Sequence, residues 1–224
     1  MPITYQTEEI KIDIVGQKIN LQQVTNVDEV FDDLISKDSC DEMVKDEQIP
    51  YWTEIWPSSI GLCMHLNTIS EEINGSRVLE LGCGLGLPSI YAGFLNPKSV
   101  KATDYLEDAL TFCKSNWLLN HSSNIFETAR FDWRSPNLIM KSYDVLLAAD
   151  IVYEDRMVTS VFDFLVKNLV SVQVFILSDP DRKTCSALLE KLQGSGDFFI
   201  SEFNYDVVWR EVKTSIRVFE IRAT

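Results

Sequence analysis

Apolar and polar residues alternate at Ile10, Ile12 and Ile14, the period of a half-buried strand. Val15-Gly16-Gln17 then reads as a turn and Lys18 to Val24 as a returning strand, so the chain opens with a β-hairpin. The period changes after that. Val27, Val30, Phe31 and Leu34 fall on one face of a short helix spanning Val27 to Ser36. Asp38 to Gln48 contains five acids and few apolar residues, the composition of a solvated surface loop. Pro50 ends it, and Tyr51, Trp52 and Trp56 crowd the stretch before Pro57. Ser58 is placed to cap a helix running to about Thr68.

From Arg77 onward, strands and helices take turns. Strands are predicted at Arg77–Leu81, Ser99–Thr103, Ile125–Phe131, Tyr143–Ala149 and Val172–Ser178. Helical patterns lie near Leu87–Leu95, Leu106–Asn120, Arg156–Leu169 and Lys183–Gln193. Such alternation predicts a Rossmann-like, doubly wound α/β sheet, mostly parallel, with helices on both faces. Asp197 to Asp206 and Thr214 to Ile221 are strands with no helix between them, which adds an antiparallel C-terminal strand pair at one edge. The expected organisation is an N-terminal extension over residues 1–57 and one catalytic domain over 58–224.

Composition narrows the function classes. At 46% hydrophobic residues the chain can bury a sizeable core, and no apolar run reaches the length of a membrane span. A polar N-terminus without a secretory pattern points to the cytoplasm. The five cysteines, Cys40, Cys63, Cys83, Cys113 and Cys185, form no C-x-x-C pair, which argues against a disulfide framework or zinc site. With His65 and His121 the only histidines, no metal is expected. A net charge of −14 disfavours nucleic acid as a partner and would attract a basic one, or else it merely aids solubility.

The chemistry concentrates at the carboxyl ends of the predicted strands. Arg77 to Leu81 runs into Gly82-Cys83-Gly84-Leu85-Gly86 and then a helix. Glycines there let backbone approach a ligand, and the following helix start presents free N–H groups. A dinucleotide fingerprint needs its third glycine at Leu87; here it comes one residue early, at Gly86. With Glu80 two residues before the first glycine, the E-x-G-x-G-x-G pattern suits a ligand with a cationic aminoacyl group and no pyrophosphate. Asp104 ends the second strand, where a carboxylate can hold ribose hydroxyls or cap the next helix, or both. Asp132 and Trp133 follow the third strand, where an acid can meet an adenine amino group and an indole can cover the ring; a partly buried core Trp is the other reading.

These motifs resemble the seven-β-strand S-adenosylmethionine-dependent methyltransferases, and within them methyltransferase family 16, which includes protein-lysine methyltransferases. Trp56-Pro57-Ser58, Glu80 to Gly86, Asp132-Trp133 and Ala148-Ala149-Asp150-Ile151-Val152-Tyr153 carry the resemblance, over residues 56 to 153. The stretch from Pro50-Tyr51-Trp52 to Trp56-Pro57 is similar to the electron-transfer-flavoprotein lysine methyltransferase branch. The resemblance implies that Trp56 lies against the cofactor and that Glu80, Gly82, Cys83 and Gly84 surround its aminoacyl end. It puts Asp104 at the ribose, Asp132 and Trp133 at adenine, and Ala149 near the sulfonium.

Methyl transfer needs a neutral amine, and Asp150, after the fourth strand, could accept its hydrogen bond and aim its lone pair. Tyr153 could wall a lysine channel and favour a methylated ammonium by cation–π contact. Asp150 could instead cap the next helix and Tyr153 could be core. The expected activity is N-methylation of lysine on a protein. A small-molecule N- or O-methyltransferase stands against it, as does a non-catalytic methyltransferase-fold binding module. An open acidic mouth favours the first, and a closed pocket lined by Tyr51, Trp52 and Trp56 the second. An NAD-dependent dehydrogenase is disfavoured by Leu87.

Overall fold

The computed structural model describes residues 4–36, 49–134 and 143–224, so the expected acidic loop from Asp38 to Gln48 lies outside the described residues. Two strands, β1 (Thr7–Ile14) and β2 (Gln17–Val24), form the N-terminal hairpin and α1 (Val27–Ser36) follows. After a single turn at Tyr51–Thr53 come α2 (Pro57–Thr68), α3 (Ser70–Ile73), β3 (Arg77–Leu81), α4 (Leu87–Gly93), β4 (Ser99–Asp104), α5 (Glu107–Asn120) and β5 (Phe126–Arg130). The chain continues through β6 (Val145–Ala149), α6 (Asp155–Asn168), β7 (Val174–Asp179), α7 (Lys183–Ser195), β8 (Phe198–Trp209) and β9 (Val212–Ala223). Among the described residues no helix is long and apolar enough to cross a membrane.

The main sheet has seven strands in the order β5-β4-β3-β6-β7-β9-β8. Five are parallel, and β9 and β8 close the edge antiparallel. The order reverses at β3, so the first two crossovers, to β4 and β5, go to one side and the later ones, to β6 and β7, to the other. A crevice is left at the carboxyl ends of β3 and β6. Helices cover both faces, which is why β6 and the first four residues of β7 are unbroken apolar runs. The terminal strands run further than the sequence pattern suggests. Arg210 (φ 49°) and Glu211 (φ 66°) make a two-residue turn with both residues left-handed, and the ladder continues up to it.

The N-terminal hairpin shares the core of the main sheet. Ile12, Ile14, Ile19 and Leu21 are buried with residues of α2, α4 and α5. The free edge of β2 is satisfied by amide side chains in place of another strand. Asn116 Oδ1 accepts from Gln22 N at 2.7 Å, and Asn120 Oδ1 accepts from Asn20 N at 2.9 Å. Asn116 also donates to Leu85 O at 3.0 Å, which fastens the hairpin to the glycine turn.

At α2 the structure corrects the expected cap. Trp56 is the N-cap residue, Pro57 opens the helix, and Ser58 sits inside the first turn with its hydroxyl buried and unpartnered. Proline is preorganised for that first position, so the helix starts two residues earlier than a Ser58 cap would place it.

Candidate active site

A cavity of about 560 Å³ opens at the carboxyl ends of β3, β4, β5 and β6. All eleven residues singled out from the sequence line it: Trp56, Glu80, Gly82, Cys83, Gly84, Asp104, Asp132, Trp133, Ala149, Asp150 and Tyr153. Parallel strands in register bring their ends to one level, so acids far apart in sequence share one rim.

The glycine turn forms the floor. Gly82 has φ +63°, and a Cβ there would stand 2.9 Å from Ile151 Cγ2. Gly86 has φ +86°, and a Cβ there would overlap Cys113 Sγ on α5. Both positions exclude side chains on two counts, backbone conformation and space. Cys83 is buried against Cys113 behind the turn, and burial raises its thiol well above the usual range. A thiol held protonated by burial is a poor nucleophile. The four cysteines among the described residues are all free, and the described residues hold no metal-binding cluster. Both histidines are structural. His65 bonds Tyr205 and Glu220, and His121 bonds the Ile90 carbonyl.

Glu80 is fully buried. Its carboxyl accepts from Ser89 N at 2.9 Å and from the Ser89 hydroxyl. Burial pushes its pKa up to about 8, and the Ser89 bonds offset only part of that. It therefore ties β3 to the first turn of α4, behind the glycine floor. Asp104 is more open. One carboxylate oxygen accepts from Gly84 N and the other from Leu106 N, each at 3.0 Å. The helix α5 begins after Leu106, so Asp104 pins the turn before it and is not the N-cap residue. Burial raises this carboxyl above its ordinary value, while the two backbone N–H groups oppose the shift.

Asp132 holds Arg134 in a bidentate pair, with Nε–Oδ1 at 2.8 Å and Nη2–Oδ2 at 2.8 Å. Trp133 is half-buried, with its ring edge 3.8 Å from where a Gly82 Cβ would be. At the opposite wall, Tyr51, Trp56 and Tyr153 meet edge to face, with centroids 5.9 Å and 5.2 Å from Tyr51. Burial lifts the Tyr153 phenol to about 12, so it stays protonated. Trp52 lines the cavity too, with its ring packed against Tyr5 and Phe112. All three aromatic residues expected at the mouth, Tyr51, Trp52 and Trp56, therefore border the cavity.

Asp150 does not cap α6, whose N-cap residue is Glu154. It has φ +55°, and its side chain is only 7% exposed. Both its oxygens are held by Arg182, with Nε–Oδ1 at 2.5 Å and Nη2–Oδ2 at 2.9 Å. Arg182 sits on the turn after β7 and was not anticipated. Asp179 Oδ1 accepts its backbone N–H at 2.6 Å. The sequence signal was the polar Asp179-Pro180-Asp181-Arg182 turn at the carboxyl end of a buried parallel strand, where ligand sites gather. The rim is not simply acidic either, since Glu54 pairs with Arg210 and Glu154 with Arg156.

The chain matches the lysine methyltransferase family over residues 42–193. It is 29% identical over 175 residues to a protein N-lysine methyltransferase of Danio rerio, covering 71% of this chain and 76% of that one. It is 27% identical over 159 residues to the electron transfer flavoprotein beta subunit lysine methyltransferase of Xenopus laevis, covering 68% and 62%. A histidine protein methyltransferase 1 homolog of Dictyostelium discoideum is 29% identical over 122 residues, 53% of this chain and only 39% of that protein. Among solved structures, the magnesium protoporphyrin IX methyltransferase of Synechocystis PCC 6803 with bound S-adenosylmethionine superposes with a TM-score of 0.58. That likeness covers 88% of this chain and 92% of the other at 15% identity, and it speaks to the fold alone. With the family matched across the glycine turn, the DW pair and the Asp150–Tyr153 segment, the chain belongs to the lysine methyltransferase family.

Proposed function

We propose that the chain is an S-adenosylmethionine-dependent methyltransferase that N-methylates lysine on a protein. The observation that carries this reading is the shared chamber. It joins a side-chain-free glycine floor and an acid at the end of β4 to an indole–acid pair after β5 and an acid–tyrosine pair after β6. Asp104 suits the ribose, since each of its oxygens keeps a lone pair after its one backbone bond. Trp133 and Asp132 suit adenine, and Trp56 suits the outer side of the cofactor. Ala149 suits the sulfonium end, and the Gly82–Gly84 backbone with Glu80 behind it suits the aminoacyl end. When bound, the cofactor supplies an electrophilic methyl: as the N–C bond forms the C–S bond breaks, its electrons stay on sulfur, and a proton leaves the product nitrogen.

Asp150 and Tyr153 are the residues we assign to the acceptor. They line the part of the chamber next to Ala149, and Tyr153 presents a protonated ring that can wall an alkylamine. A protein substrate is further supported by the distribution of charge. Residues 1–57, which we treat as an accessory extension of the catalytic domain 58–224, carry thirteen acids against four lysines. That excess of acids, within a chain of net charge −14, would attract a basic segment flanking the target lysine. The same charge disfavours nucleic acid, and the free buried thiols fit a cytoplasmic setting.

The test is transfer from methyl-tritiated S-adenosylmethionine to a cell lysate, followed by acid hydrolysis and amino-acid analysis. Protease-sensitive label recovered as methyl-lysine is the expected result. Label in methyl-histidine or in protease-resistant small molecules would overturn the acceptor assignment. Asp150→Asn should lower the single-turnover rate at least about tenfold while cofactor affinity stays within about threefold.

A further inference from the structure

The Asp150–Arg182 pair changes what the acceptor end of the chamber can do. A buried, unpaired carboxylate would hold an incoming lysine as its ammonium, because an opposite charge nearby stabilises the charged form. An ammonium has no lone pair and cannot attack. In this protein both oxygens of Asp150 already lie against a guanidinium that stays charged at any working pH. The pair is bidentate, and the arginine backbone is anchored in turn by Asp179. A charged fork is thus held in a fixed place beside the acceptor residues.

We propose that Arg182 is a positioning residue for methyl transfer: by neutralising Asp150 it makes the acceptor end admit the neutral amine in preference to the ammonium. The inference rests on reading the chamber as the cofactor and acceptor site. Asp150 keeps outward lone pairs to accept an N–H from the amine, so it can still aim the nitrogen, but it offers little net charge to retain a proton. The other charged and titratable groups around the pair do not undo this. Asp179 lies behind Arg182 and is itself approached by Arg217, Nη2–Oδ1 at 3.6 Å, which also pairs with Asp181 at 3.0 Å. Glu154 on the rim is paired with Arg156. Tyr153, packed edge to face on Tyr51, presents a neutral phenol, and the Cys185 thiol is buried and raised by that burial.

Sinefungin tests this without a protein substrate. It is the cofactor analogue in which an amine-bearing carbon replaces the methylsulfonium, so its extra amine lies where the acceptor nitrogen and methyl meet. S-adenosylhomocysteine has the same adenosine and aminoacyl groups without that amine, and the ratio of the two affinities isolates it. Calorimetry of the full chain from pH 7 to pH 9 should show wild-type selectivity for sinefungin rising about tenfold or more as its amine deprotonates. Arg182→Met should raise that selectivity about tenfold at pH 7 and abolish the rise, since the freed carboxylate would then favour the ammonium. Arg182→Lys keeps the charge and should keep the rising profile. A flat or falling profile in the wild type would overturn the proposal, and this arm needs no variant to fold. So would a wild-type profile in Arg182→Met, or loss of the rise in Arg182→Lys. If S-adenosylhomocysteine itself failed to bind the wild type, the cofactor reading would fall first and the proposal with it.

Discussion

Replacing Asp104 with alanine tests whether the carboxylate at the end of β4 holds a ribose. Its two oxygens each accept one backbone N–H at 3.0 Å, from Gly84 and Leu106. One acceptor position per oxygen is left, enough for the two vicinal hydroxyls of a ribose. Hydrogen bonds to a charged acceptor contribute about 1.5–3 kcal/mol. Asp104→Ala should therefore weaken S-adenosylhomocysteine about tenfold to a hundredfold. The substitution also strips two N–H groups of their partner, one of them in the glycine floor, so part of the loss could come from a displaced turn. Adenosine separates the contributions. It carries the ribose but never reaches the aminoacyl end, so a direct role predicts the same factor for adenosine as for S-adenosylhomocysteine. Both affinities are read by calorimetry, the weaker by competition, and the midpoint of thermal unfolding is followed in parallel. An Asp104→Ala protein that binds S-adenosylhomocysteine within about threefold of wild type would refute the ribose assignment. A loss confined to S-adenosylhomocysteine would move the role of Asp104 to holding Gly84.

Glu80→Gln should stabilise the protein increasingly as pH rises. The Glu80 pKa is raised to about 8 in the fold, so the folded state holds a proton that the unfolded state releases, and wild-type stability falls between about pH 4.5 and 8. Thermal melts of both proteins at pH 5 and pH 9 check it, and a difference independent of pH would count against it. Gly86→Ala should destabilise by about 1–3 kcal/mol, from a positive φ together with overlap on Cys113 Sγ, measured by urea unfolding. Asn116→Ala should loosen the N-terminal hairpin and the glycine turn together, since this one amide bonds Gln22 and Leu85. Hydrogen exchange at both segments reads that coupling, and protection lost at only one would refute it. Methylation of a basic protein substrate should weaken with salt through KM and not through kcat, because the thirteen acids of residues 1–57 act on encounter. An ionic-strength series at fixed cofactor concentration tests this.

Which parts of this architecture could be read in advance depends on how local their causes are. The parallel strands announced themselves because burial on both faces forces continuous apolar runs, as in Val145–Ala149 and the Val174–Leu177 part of β7. The glycine floor was legible because Gly82 and Gly86 satisfy backbone demands that no other residue meets. Gly82, Gly84, Asp104, Asp132 and Trp133 were legible from their place at the carboxyl ends of parallel strands, whereas Trp56, Cys83 and Ala149 were implied only by the family resemblance. What escaped was every feature decided by a partner distant in sequence. Trp52 lines the mouth as expected, but the partners that hold its ring, Tyr5 and Phe112, arrive from the N-terminus and from α5. Asp150 read as a free acceptor or a helix cap, because nothing within a turn of it shows a cation 32 residues away on the loop after β7. Periodicity places a carboxylate at a rim, but whether that carboxylate meets the substrate as a charge or as half of a neutral pair is set by tertiary contact. For an amine nucleophile that difference decides whether the nitrogen has a lone pair to give.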